Sequence, residues 1–150
     1  MTDVRHLLEI AKLSAIKAGN AIMELYLSGD FSTSIKSDST PPTKADKTAH
    51  KIITDCLGKT NLPVLSEEGK NIAYSERMAW DYFWLIDPLD GTKEFINKNG
   101  EFTVNIALIQ RTIPVGGIIY APCIDTLYCG SHETGVYKNE KTKLFRFSPL

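Results

Sequence analysis

Asp87 and Asp90 stand three residues apart in Asp87-Pro-Leu-Asp90-Gly-Thr92, and Glu67 and Glu68 follow an apolar run upstream. Carboxylates gathered without histidine or cysteine are oxygen donors for a hard divalent cation, magnesium above all. Asp-Pro and Asp-Gly both favour turns, and a tight turn would bring Asp87 and Asp90 to one cation with the Leu89 carbonyl facing the same way. Beyond that turn Gly91 lets the backbone come close to a ligand, and free amides at a helix start near Thr92 bind phosphate oxygens. Glu67, Asp87 and Asp90 thus form an oxygen-only constellation, with Thr92 beside it and Asp46 as an outer member. The chemistry this donor set implies is metal-assisted phosphate hydrolysis, in which cations lower the pKa of a water and stabilise the leaving oxygen. The Thr92 hydroxyl, paired with Asp46 or Glu67, would orient that water, and no covalent nucleophile is needed. Two plainer readings stand beside this one: the Asp-Pro-Leu-Asp-Gly run is good surface-turn chemistry, and Asp46 suits the first turn of a helix on dipole grounds alone.

These residues need elements to hold them. From Asp3 to about Leu27, Val4, Leu7, Leu8, Ala11, Ala15, Ala18, Ala21, Ile22 and Leu25 recur at helical steps, so a long amphipathic helix is expected, its alanines suited to close packing. Ser28 to Pro42 is rich in turn residues and reads as a loop or loose hairpin around Phe31 to Lys36. Thr43 caps a second helix that ends near Gly58, with Ala45, Ala49, Ile52, Ile53, Cys56 and Leu57 on one face. Leu62 to Ser66 is a short strand delivering Glu67 and Glu68, and Tyr82 to Ile86 reads as a strand buried on both faces and ending at Asp87. Ligands gather at such strand C-termini in α/β layouts. Asn71 to Asp81 is a polar connection, Thr92 to Asn97 a short helix, and Phe102–Gln110, Val115–Tyr120, Thr126–Cys129 and Gly135–Lys138 an antiparallel meander. The expected class is α+β, two amino-terminal helices packed on a largely antiparallel sheet.

Composition narrows the function. A chain of 150 residues, 43% hydrophobic, can bury a core, and a net charge of -1 gives no basic surplus for nucleic acid. No apolar run of about 18 residues could span a bilayer, and Met1 to His6 lacks a signal-peptide layout, so a cytoplasmic location is expected, with peripheral contact at the inner membrane left open. Cys56, Cys123 and Cys129 show no metal or disulfide spacing and read as reduced and mostly buried. Gly58-Lys59-Thr60 lacks the earlier glycine of a P-loop, with Ile53 in its place, and Ser66 lies in no Gly-x-Ser-x-Gly elbow, so it reads as a strand-end hydrogen bonder.

Taken together, Thr43-Lys-Ala-Asp46, Ser66-Glu67-Glu68 and Asp87-Pro-Leu-Asp90-Gly-Thr92 resemble the inositol monophosphatase superfamily of magnesium-dependent, lithium-sensitive phosphatases. Gly91-Thr-Lys-Glu-Phe95, the run Asn99 to Leu108 and Tyr120-Ala-Pro122 are most similar to its CysQ-type 3'(2'),5'-bisphosphate nucleotidases. The resemblance implies the first half of a layered αβαβα sugar-phosphatase fold and hydrolysis of adenosine 3',5'-bisphosphate to AMP and phosphate, a clearance step in sulfate assimilation. It makes Glu67, Asp87 and Asp90 side-chain ligands of Mg2+ and Leu89 a carbonyl ligand, sets Asp46, Thr92 and Glu67 on the water, gives Gly91, Thr92 and Glu67 to the substrate, and brings Lys36 toward the site. It runs to about Lys138 and implies relatives nearly twice as long, whose second half adds a metal-binding Asp in a Trp-Asp motif and much of the substrate pocket; the tail Lys141 to Leu150 matches no familiar segment. Residues 1–150 are therefore expected to be an amino-terminal metal-binding domain of low or absent activity, self-associating through surface that the second half would cover. An inositol or sugar monophosphatase, or a non-catalytic interaction unit, are the other readings.

Overall fold

The computed structural model describes residues 2–29 and 43–139, together with the backbone of 142–145. Lys36 and the hairpin expected around it lie outside the described residues. The element order is α1 (Val4–Ser28), α2 (Lys44–Leu57), a 3-10 turn (Gly58–Thr60), β1 (Val64–Ser66), α3 (Tyr74–Arg77), β2 (Tyr82–Asp90), α4 (Thr92–Ile96), β3 (Thr103–Gln110), β4 (Ile113–Ala121), a second 3-10 turn (Pro122–Ile124), β5 (Thr126–Ser131), β6 (Gly135–Lys138) and β7 (Thr142–Phe145). One sheet runs in sequence order from β1 to β7, with β1 parallel to β2 and every later pair antiparallel. The expected α+β class, with two helices on a mostly antiparallel sheet, holds.

Helix α1 starts at Asp3, whose carboxylate accepts the His6 N–H at 3.0 Å, and stops at Gly29 in the left-handed region at φ 75°. Ala11, Ala15, Ala18 and Ile22 are wholly buried along one stripe, facing α2 and strands β3 and β4. Small residues bring the layers close: a Cβ on Gly116 of β4 would stand 2.9 Å from Leu8 Cδ1, and one on Gly19 of α1 would run into the Tyr120 ring. Helix α2 buries Ala45, Asp46, Ala49, Ile53 and Leu57 and packs on α1 and β2, as its periodicity predicts. Below it the Trp84 Nε1–H donates to Thr60 Oγ1 at 3.0 Å, so the 3-10 turn after α2 is tied to the middle of β2.

The sheet has two unlike faces. Trp84, Ile86, Val104, Ile106, Leu108, Ile118 and Tyr120 are buried under the helices. On the other face Leu85 and Ile119 are 44% and 49% exposed, and a trough of about 890 Å³ runs across Leu85, Ala107, Gly117, Ile119 and Tyr128. The expectation of a β2 strand buried on both faces is therefore corrected, because residue type alone cannot tell an apolar side chain that faces the helices from one that faces this trough. Three further corrections are smaller. The connection 71–81 contains the one-turn helix α3, the tail contributes strand β7, and the three cysteines, which form no disulfide, are partly rather than mostly buried. Among the described residues no helix is long and apolar enough to cross a membrane.

Candidate active site

The carboxylates meet because β1 and β2 are parallel neighbours. Ser66 is in register with Ile86, and the Glu67 N–H donates to the Ile86 carbonyl at 3.2 Å, so Glu67, just past the end of β1, stands level with Asp87 in β2. Asp90 arrives by a different route. In a regular strand, residues three apart point to opposite faces. Between the pairs Asp87↔Asn105 and Asp90↔Thr103, however, β2 carries one residue more than β3, a β-bulge. Pro88, which has no N–H to give to the ladder, lies inside that bulge. The extra residue turns Asp90 back to the face of Asp87, and Asn105 Nδ2 donates to Asp90 Oδ2 at 3.1 Å. The expected tight turn is thus a bulge within a strand that runs on to Asp90, and Leu89, the expected carbonyl donor, lies inside it with its side chain buried.

The electrostatics record the crowding. Asp87 is pushed up to about 7, first by burial, then by the charge of Glu67 and a hydrogen bond with it, then by the charge of Asp90, while the Leu89 N–H pulls the other way. Glu68 is also raised, by burial first and then by Asp46 and Glu67, with Lys47 opposing. Among the described residues no three His, Cys, Asp or Glu side chains are already drawn together in the arrangement of a metal site. The donor set nonetheless suits a hard cation: it is all oxygen, and the crowding that raises the cost of ionising Asp87 is what a cation would relieve.

Asp46 and Thr92 form the second part. Asp46, 1% exposed, closes a capping box at the start of α2: its Oδ2 accepts from the Thr43 N–H at 2.7 Å and the Thr43 hydroxyl at 2.5 Å. Its other oxygen, Oδ1, accepts from Thr92 Oγ1 at 2.9 Å. The helix-terminus reading of Asp46 holds for Oδ2, and Oδ1 is the oxygen that meets Thr92. Thr92 is paired with Asp46, not with Glu67.

Gly91 precedes Thr92 at φ 96°, and a Cβ there would come within 2.9 Å of the Glu101 carbonyl oxygen and 3.3 Å of Glu94 Oε2. No side chain caps the start of α4. That short helix is anchored instead by Phe95, whose ring lies 5.4 Å from Tyr26 of α1 and 5.3 Å from Phe102, so Thr92 sits on a fixed support. Residues that the sequence reading passed over are Asn105, which steadies Asp90, and His50, whose Nδ1 lies 2.8 Å from Ser66 Oγ. His50 falls four residues after Asp46 on the same helix, a spacing visible in the sequence but without meaning until β1 is placed. Ser66 is a strand-end hydrogen bonder, as expected.

The inositol monophosphatase family matches residues 3–149, so the match also takes in the tail that the resemblance had stopped short of. The chain is 45% identical over 130 residues to the 3'(2'),5'-bisphosphate nucleotidase CysQ of Buchnera aphidicola, covering 85% of this chain and 48% of that protein. It is likewise 45% identical over 130 residues to CysQ of Escherichia coli K12, covering 84% of this chain and 52% of that one. The crystal structure of CysQ from Bacteroides thetaiotaomicron superposes with a TM-score of 0.77 at 49% identity, over 87% of this chain and 47% of that one. SuhB from Bartonella henselae superposes with a TM-score of 0.78 at 29% identity over 90% of this chain and 52% of its own. The chain spans about half the length of the curated relatives it matches. By the extent of the match and the identity to these relatives, the chain belongs to the inositol monophosphatase family.

Proposed function

We propose that this chain supplies the amino-terminal, metal-binding domain of a magnesium-dependent phosphatase that removes the 3'-phosphate of adenosine 3',5'-bisphosphate, giving AMP and phosphate in sulfur assimilation. The observation that carries the reading is the 2.9 Å Thr92–Asp46 pair, together with the crowding of Asp87 by Glu67 and Asp90. The nucleotide substrate comes from the CysQ relatives at 45% identity.

Glu67, Asp87 and Asp90, with the Leu89 carbonyl, would hold Mg2+. When bound, the metal supplies Lewis acidity toward phosphate oxygens and acidifies water. The chain's own residues do the positioning. Because the Thr92 hydroxyl gives its proton to Asp46, its lone pairs are left to accept one from a water and aim that water at phosphorus. Asp46, buried and fixed by its capping box, holds Thr92 in that orientation and serves as the proton's destination. The Gly91 and Thr92 amides, at a helix start with no side-chain cap, would be the donors for the phosphate oxygens, and Glu67 would take part in holding the same group.

A phosphate-release panel tests the reading: adenosine 3',5'-bisphosphate should be hydrolysed in preference to inositol 1-phosphate, and the reverse order would favour an inositol monophosphatase. That second reading draws on the inositol monophosphatase family, whose model matches residues 3–149. The trough with Leu85 and Ile119 is the surface through which the chain would self-associate, and a dilution-stable monomer in sedimentation would count against that. Hydrolysis of neither substrate by a folded chain would favour the non-catalytic unit.

A further inference from the structure

Helix α2 sends two side chains across to the sheet from one face, four residues apart. Asp46 reaches Thr92 just beyond the end of β2, and His50 reaches Ser66, the last residue of β1. Ser66 in turn organises the three residues after it. Its Oγ accepts the Glu68 N–H at 3.3 Å and lies 2.8 Å from His50 Nδ1, while its carbonyl accepts the Gly69 N–H at 3.1 Å. One hydroxyl proton and two lone pairs suffice for both partners of the Oγ, whichever imidazole tautomer is present. These bonds close a turn around Glu67 and Glu68. The imidazole also backs that turn sterically: a Cβ on Gly69 would lie 3.6 Å from His50 Cε1 and 3.3 Å from Ser66 Cβ. Glu67 is then held on both sides, by its own N–H on the Ile86 carbonyl before the turn and by the Ser66 bonds after it.

We infer that His50 is a positioning residue for the metal site: through Ser66 it holds the Ser66–Gly69 turn, and with it the Glu67 carboxylate beside Asp87. The inference rests on the metal reading of Glu67. In this arrangement α2 acts as a spacer between the two strand ends, fixing the Thr92 side with Asp46 and the Glu67 side with His50. Partners behind a metal ligand characteristically change metal affinity by about 10- to 100-fold when removed.

The test uses Mn2+ as the probe on the whole chain, with affinity read from the electron paramagnetic resonance of free Mn2+, and amide exchange read at Glu68 and Gly69. His50→Ala should weaken Mn2+ binding by about tenfold and speed exchange at both amides without changing the overall melting curve. His50→Asn, whose amide can meet Ser66 Oγ, should recover most of the affinity. Ser66→Ala should reproduce His50→Ala, and the double variant should be no worse than either, since one hydrogen-bonded unit is lost once. If the unaltered chain binds Mn2+ through Asp87 and His50→Ala binds it equally well, this inference fails alone. Additive losses, or a loss that Asn leaves unrecovered, also overturn it. If the unaltered chain binds Mn2+ no better than Asp87→Asn, the metal reading and this inference fall together.

Discussion

Replacing Asp87 by Asn should make the metal-free protein more stable while removing its response to magnesium. The folded-state pKa of Asp87 is raised from 3.8 to about 7, so between those values the folded chain holds more protons than the unfolded one. Stability therefore falls as pH rises through that window, and the penalty is complete above pH 7. A shift of about three pH units corresponds to roughly 4 kcal/mol at ~1.4 kcal/mol per unit. The side chain is only half-buried and shares its repulsion with Glu67 and Asp90, so solvent screening reduces this to about 1–2 kcal/mol. In a domain of this size that is roughly 2–8 °C of melting temperature. The asparagine is nearly isosteric and keeps an acceptor for the Leu89 N–H, so little is lost in exchange. The assay is a set of thermal melts in EDTA at pH 4, 6 and 8. The variant should gain little at pH 4 and most at pH 8, and added Mg2+ should raise the melting temperature of the unaltered chain at pH 8 but not that of the variant. A variant that melts lower than the unaltered chain at pH 8, or a difference that ignores pH, would refute the reasoning.

Other perturbations have outcomes just as definite. Thr92→Val keeps the shape but removes the hydroxyl given to Asp46, and phosphate release should fall by about 10²-fold while Thr92→Ser retains most of it. Gly91→Ala forces a Cβ to 2.9 Å from the Glu101 carbonyl at φ 96°, and denaturant melts should show a loss of about 1–3 kcal/mol. Phe95→Ala removes a fully buried ring from the Tyr26–Phe102 cluster, at a cost of about 3–5 kcal/mol by the same melts. It should also slow phosphate release, because α4 loses its anchor.

Much of the site was legible because it rests on short local rules. Thr43 and Asp46 announce a helix start at the right residue, and Gly91 marks a backbone that other residues adopt only under strain. The meeting of Glu67 with Asp87 needed only two strands ending in acid, with their parallel pairing then setting them level. What stayed hidden depends on partners distant in the chain. Pro88 reads equally well as a turn or a bulge until β3 supplies the register, and nothing local couples His50 to Ser66 or Asn105 to Asp90. Leu85 misled for a related reason: an aliphatic residue in a strand looks buried, and only the placement of both helices on one side of the sheet leaves it at 44% exposure.

The most direct measurement is phosphate release from adenosine 3',5'-bisphosphate by this chain, with and without Mg2+, beside the Asp87→Asn variant. The carboxylate site predicts that whatever release occurs, however low, requires Mg2+ and disappears in the variant. Release that survives Asp87→Asn at ordinary Mg2+, or that persists in EDTA, would contradict it.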